Sequence, residues 1–192
     1  DISHLIRGGI DYSFSKNSTL GVYAQGNFGG EDAFEDLNQR SMRSANQLDS
    51  LYVRNSTEAE DNGNFEGGIN YTFNVDTTGH RFYTSFSYSK DFRDHHNEYY
   101  QHFFNSRNEE VASKGLRQLN DRTSGSTFYI FQADYERLVG EKTSMEAGLK
   151  GTFGIWERGQ EFAQGDEGSD FLPIRNDTIS DAFDFNEDVY AA

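Results

Sequence analysis

The chain has 192 residues, no cysteine, one proline and 19 glycines, and sets 17 Lys and Arg against 32 Asp and Glu for a formal net charge of −15. Disulfides, thiolate metal sites and cysteine nucleophiles are excluded, and the sparse, scattered basic residues argue against a nucleic-acid surface. The mean hydropathy of −0.82 and the lack of any run near the roughly 18 apolar residues of a transmembrane helix exclude a helical membrane protein, but not strands that give only every second side chain to lipid.

Six segments alternate apolar and polar residues with period two, the mark of strands whose two faces meet different surroundings. The first sets Ile6, Gly8, Ile10, Tyr12 and Phe14 against Arg7, Gly9, Asp11 and Ser13. A short link from Ser15 to Thr19 leads to the second, where Leu20, Val22, Ala24, Gly26 and Phe28 oppose Gly21, Tyr23, Gln25 and Asn27. A long link follows from Gly29 to Asn64, in which Leu48, Leu51 and Val53 mark extended or short helical pieces. In the third segment Phe65, Gly67, Ile69, Tyr71 and Phe73 oppose Glu66, Gly68, Asn70 and Thr72. The short link Asn74 to Arg81 joins it to the fourth, where Phe82, Thr84, Phe86 and Tyr88 oppose Tyr83, Ser85, Ser87 and Ser89. In a second long link, Arg93 to Phe128, Tyr99, Tyr100, Phe103 and Phe104 mark further extended or short helical pieces, and with Leu116 and Leu119 the strands can continue as hairpins above the membrane. The fifth segment sets Tyr129, Phe131, Ala133 and Tyr135 against Ile130, Gln132, Asp134 and Glu136. Past the short link Leu138 to Ser144, the sixth sets Met145, Ala147, Leu149, Gly151 and Phe153 against Glu146, Gly148, Lys150 and Thr152. A third long link runs from Gly154 to Asp181, and Asp188 to Ala192 reads as the opening of another strand.

Each segment is about as long as the roughly 9 to 11 residues with which a tilted strand crosses the hydrocarbon layer, with aromatic residues near its ends. The links alternate short and long, as periplasmic turns and extracellular loops do in a bacterial barrel. The expectation is an all-β, antiparallel up-and-down meander of about six to seven strands, residues 1–192 forming part of a transmembrane β-barrel in the bacterial outer membrane. The start at Asp1 without methionine or leader, and the cut strand at Ala192, read as a fragment. A rival is a soluble extracytoplasmic β-sandwich binding carbohydrate or protein, its apolar faces packed on each other.

Several stretches carry a family resemblance: Gly9-Ile10-Asp11-Tyr12-Ser13-Phe14 followed by Thr19-Leu20-Gly21-Val22, Gln47-Leu48-Asp49-Ser50-Leu51, Gly68-Ile69-Asn70-Tyr71-Thr72-Phe73 and Ala133-Asp134-Tyr135. With Leu138 to Lys150 and the acidic, aromatic return from Phe185 to Ala192, the chain resembles the outer membrane protein β-barrel family of Bacteroidetes, which is similar to TonB-dependent receptors. The resemblance implies a many-stranded barrel around an N-terminal plug, taking up or binding a ligand with energy passed through TonB. Its partners are then outer-membrane lipid, the TonB system acting through the plug of a parent chain, and an imported or surface ligand; it implies no cofactor. The resemblance reaches the barrel alone, with neither plug nor TonB box.

Candidate ligand contacts lie in the long links. His95, His96 and His102, near Asp94 and Glu98, are raw material for a transition metal, but neighbouring side chains on a strand point apart and a solvated loop is the simpler reading. Trp156, Phe162 and Phe171 can stack on a sugar ring or pack an interface, and Trp156, just past Phe153, reads as an interfacial belt residue. Glu31, Asp32, Glu35 and Asp36 are an acidic patch without a turn scaffold for calcium. Asp184, Asn186 and Asp188 have the opening spacing of a calcium loop, yet Val189 stands where glycine is required, so they read as one strand face with Phe183 and Phe185 on the other. Asn176-Asp177-Thr178 and three similar tripeptides match glycosylation acceptors by chance. Arg7, Asp11, Glu66, Asp134, Glu146 and Lys150 face the lumen, with Glu136 beside them, as charge pairs or a lining. No acid–base pair or nucleophile stands out, so no enzyme activity is expected, and an envelope hydrolase built on a barrel is the remaining alternative.

Overall fold

The computed structural model describes residues 2–44, 47–76, 79–111, 115–140, 143–166 and 170–191. Asp1 and Ala192, the ends on which the fragment reading leaned, lie outside the described residues. These form β1 (Ile2–Ser15), β2 (Ser18–Ser44), β3 (Gln47–Asn74), β4 (Arg81–Phe104), β5 (Leu116–Leu138), β6 (Ser144–Asp166), β7 (Ile174–Arg175) and β8 (Asp181–Ala191), with no helix among them. The strands make one antiparallel sheet in chain order to β6, whose free edge then takes β7 and β8 one after the other.

All six expected strands are present, but they are much longer than their amphipathic cores. β2 and β3 have 27 and 28 residues and stay paired far beyond Gly29, with Glu31 opposite Glu60 and Leu37 opposite Arg54. The stretches expected as long loops are therefore mostly hairpin extensions. Polar side chains predominate on both of their faces, so the period-two signal fades while the backbone ladder, which does not depend on side-chain polarity, continues.

The count of eight exceeds the expected six or seven because the return strand is split. At the split, the Asn176 carbonyl accepts from Ile179 N at 3.2 Å and Ser180 N at 2.9 Å, and the Asn176 side chain accepts from Thr178 N at 3.0 Å. This side-chain-stabilised turn stays tied to β6, since Asn176 N donates to Phe162 O at 2.7 Å and Phe162 N to Ser180 Oγ at 2.9 Å. The tripeptide that resembled a glycosylation acceptor is the turn that separates β7 from β8.

Register assigns the faces. One row runs Ile10, Val22, Ile69, Phe86, Phe131, Gly151, Tyr190 across the sheet, each opposite the next. These side chains stay open: Ile10 is 77% exposed, Phe86 44% and Phe131 42%, and no hydrophobic side chain is buried among the described residues. Burying an Ile or Phe stabilises by about 1.5–3 kcal/mol, so a soluble domain has every reason to cover such a face. The sandwich reading required a second sheet against it, and the described residues form one sheet.

The apolar face is slanted across the strands. It reaches Ile2 on β1, Phe92 on β4 and Ile155 on β6, but ends at Tyr190 on β8, where Asp188, Asn186 and Asp184 follow on the same face. The Tyr190 row meets β1 at Ile10, eight residues from Ile2, or about 26 Å of strand. Six strand spacings cover about 29 Å, so the limit slopes at about 40°, the tilt of barrel strands to their axis.

Candidate functional site

The other face is polar and collects every side chain expected to look into a lumen. Arg7, Gln25 and Glu66 share one row, Asp11, Asn70, Gln132 and Lys150 another, and Asp134 and the pair Glu136–Glu146 stand on the same side. Their bonding runs across strands: Glu66 accepts from the Tyr23 hydroxyl and from Gln25 Nε2, both at 2.8 Å, while Asp91 accepts from Asn64 Nδ2 at 2.5 Å and Ser126 Oγ at 2.9 Å. Tyr23 lies flat over Gly68, where a Cβ would stand 2.5 Å from the ring.

Beyond this ladder, β3, β4, β5, β6 and the start of β8 shape an open cavity of about 530 Å³, and β2 to β6 shape an adjoining one of about 400 Å³. Arg93, Ser124, Arg158 and Phe183 form one row, and His95, Arg122, Gln160 and Asp181 the next. Ile179, from the turn that splits the return strand, closes one side. Glu60 receives Arg93 Nε at 3.3 Å and Asn62 Nδ2 at 3.1 Å. The Asn62 hydrogen bond, aided by the charges of Arg93 and His95, holds the Glu60 carboxyl below its ordinary value.

Trp156 belongs to this polar face, which corrects its reading as a belt residue. Its ring sits over Gly154, 5.1 Å from Phe128 edge-on and 4.8 Å from Phe185 with planes 1° apart. Phe183 and Phe185 are on the polar side too, and Asp184, Asn186 and Asp188 lie on the side of the apolar rows. The slant explains both: at β8 the apolar band has already ended, so polarity no longer reports the face.

The three histidines separate. His95 faces the cavities, its Nε2 3.3 Å from Glu58 and its Nδ1 3.5 Å from Glu60. His96 points to the opposite face and bonds Asp121, and His102, also on that face, meets Glu110 at 2.7 Å. No group of three metal-ligating side chains occurs among the described residues. Phe162 shares the polar face on β6, two residues beyond Gln160. Phe171 stands in the loop before β7 with a φ of 57°. Glu31 and Glu35 alternate with Asp32 and Asp36 along β2 and fall on opposite faces, so the four do not converge.

Arg93, Arg122 and Arg158 were not singled out in the sequence. They are 29 and 36 residues apart, and only the extended register brings them together.

Residues 73–192 match the model of the outer membrane protein β-barrel family. A comparison with curated proteins returned no match.

Proposed function

Because the chain belongs to the outer membrane protein β-barrel family, we propose that it forms part of the wall of a TonB-dependent-receptor-like protein that takes up or holds a ligand at the cell surface. The protein resides in the bacterial outer membrane. On this reading the envelope is that of a Bacteroidetes-like bacterium, the apolar face meets acyl chains, the polar face looks into the lumen, and a plug in the parent chain passes the TonB signal. The role is binding and passage, without covalent catalysis.

The observation that carries it is the two-faced sheet: a slanted apolar band on one side and, behind and above it, polar cavities built from strands that extend past the band. A wall that only sealed the membrane would need neither the extensions nor the cavities.

The test is solute depletion from the medium, compared by mass spectrometry among parent cells, cells deleted for this protein and cells deleted for TonB. The same solute left behind by both deletion strains supports uptake. A solute whose loss depends on this protein but not on TonB overturns the TonB-dependent step.

A further inference from the structure

We propose that Arg93, Arg122 and Arg158 bind the carboxylate or phosphate of an anionic ligand whose ring or sugar body rests against Phe183 and Trp156. This rests on the reading of the polar face as a ligand path and names the class of ligand.

The arrangement is a triangle. Arg93 on β4 and Arg158 on β6 share a row with Ser124 between them, about 10 Å apart across two strand spacings. Arg122 stands one row further along β5, between His95 and Gln160. All three line the larger cavity. Arginine presents a planar fork of donors that fits two oxygens of a carboxylate or phosphate at once.

The charges in the cavity are left partly uncompensated. Arg93 is held by Glu60. Arg122 leans on a neutral partner, its Nη2 3.1 Å from the side-chain amide of Asn120. Among the described residues no carboxylate lies within 4.0 Å of Arg122 or Arg158. The cavity's other acid, Asp181, accepts from the Ala182 amide at 2.8 Å. A cross-strand charge ladder, the structural explanation for arginines on a sheet, places a carboxylate against each cation, and here two of the three lack one. In a chain with 32 acidic and 17 basic side chains, this concentration of cations opposes the overall charge.

The aromatic side is supplied by the same elements. Phe183 lies beside Arg158 in the larger cavity, and Trp156 lines the smaller one together with Arg93 and Arg158. A sugar or aromatic ring laid on these rings points its anionic substituent toward the guanidinium groups.

Trp156 is the one tryptophan of the chain and therefore a local reporter. The protein, purified in detergent, is titrated with galacturonate, inorganic phosphate and, as the uncharged counterpart, galactose, following Trp156 emission and, in parallel, binding heat. Saturable changes with galacturonate or phosphate but not galactose are expected, weakening with salt and by about ten-fold or more in R122Q/R158Q. R122K/R158K keeps the charge without the fork and is expected to fall between the two. Equal affinity in wild type and R122Q/R158Q, or no saturable response to either anion, overturns the site. Galactose binding as tightly as galacturonate overturns the anionic class while leaving TonB-dependent uptake standing. Arg-dependent anion binding in a protein whose solute uptake ignores TonB has the opposite consequence.

Discussion

Trp156 and Phe185 stack almost perfectly parallel, with ring centroids 4.8 Å apart, and so fasten β8 to β6 on the face that also carries Lys150 and Arg158. Gly154 makes this possible, because a Cβ there would lie 2.5 Å from the Trp156 ring and 3.0 Å from Phe128. Gly154→Val is expected to displace the indole, shift its emission to the red and lower stability by at least the about 0.5–1.5 kcal/mol of an aromatic pair. Steady-state fluorescence and denaturant unfolding in lipid check both, and unchanged emission rules out the packing described.

The two faces predict opposite responses to the same charge. Ala133 lies between Thr84 and Leu149 in the middle of the apolar band, and Ser85 lies between Asn70 and Gln132 on the polar side. Ala133→Arg is expected to destabilise the barrel by about 2–4 kcal/mol, as for a cation near the bilayer midplane. Ser85→Arg, facing water, is expected to stay within about 0.5 kcal/mol. Unfolding of the protein reconstituted in vesicles measures the difference, and similar costs at both positions contradict the assignment of faces.

The slope of the band can be measured directly. Ile6 and Asn186 end the same registered row, which passes through Gly26, Phe65, Lys90, Thr127 and Ile155. The absence of native cysteine allows single spin labels to be attached at Ile6→Cys and Asn186→Cys. The label at position 6 is expected to collide with oxygen dissolved in the bilayer, and that at 186 with a water-soluble nickel chelate. Lipid exposure at both ends means that the strands run upright and the slope of about 40° is wrong.

Ile69 and Phe86 were legible as facing residues because alternation survives wherever one face meets an apolar medium and the other does not. Past Gly29 or Arg93 polar residues predominate on both faces; Leu51, Val53, Phe103 and Phe104 pointed to extended pieces there, but the register that pairs them was not legible. That is why His95 was placed in a loop, and why its proximity to Arg122, directly opposite on β5, was invisible. Trp156 differs for another reason: it follows Phe153 closely in the chain, but at an odd separation along a strand the two side chains take opposite faces. The set expected to face a lumen, from Arg7 to Lys150, needed parity alone and shares one face of the sheet.

Acid should weaken the extended part of the barrel through Glu60, which lies beyond Gly63 and the apolar band. The hydrogen bond from Asn62, together with Arg93 and His95, favours its ionised form and lowers its folded-state pKa below the ordinary 4.5. A carboxyl with a depressed folded pKa binds protons more readily when unfolded, so its contribution is complete above the unfolded pKa and is lost as pH falls through the folded one. Wild type is therefore expected to exceed Glu60→Gln in stability by a constant margin from pH 5 upward, with the margin shrinking as pH drops below about 4.5. Asn62→Ala, which removes the largest cause, should raise the folded-state pKa toward the ordinary value, so that the pH-dependent part of the margin becomes smaller and its loss is complete at a higher pH. Hydrogen exchange of the β3–β4 extension measured between pH 3 and 7 provides the check, and a margin that is flat across that range removes Glu60 from the acid response.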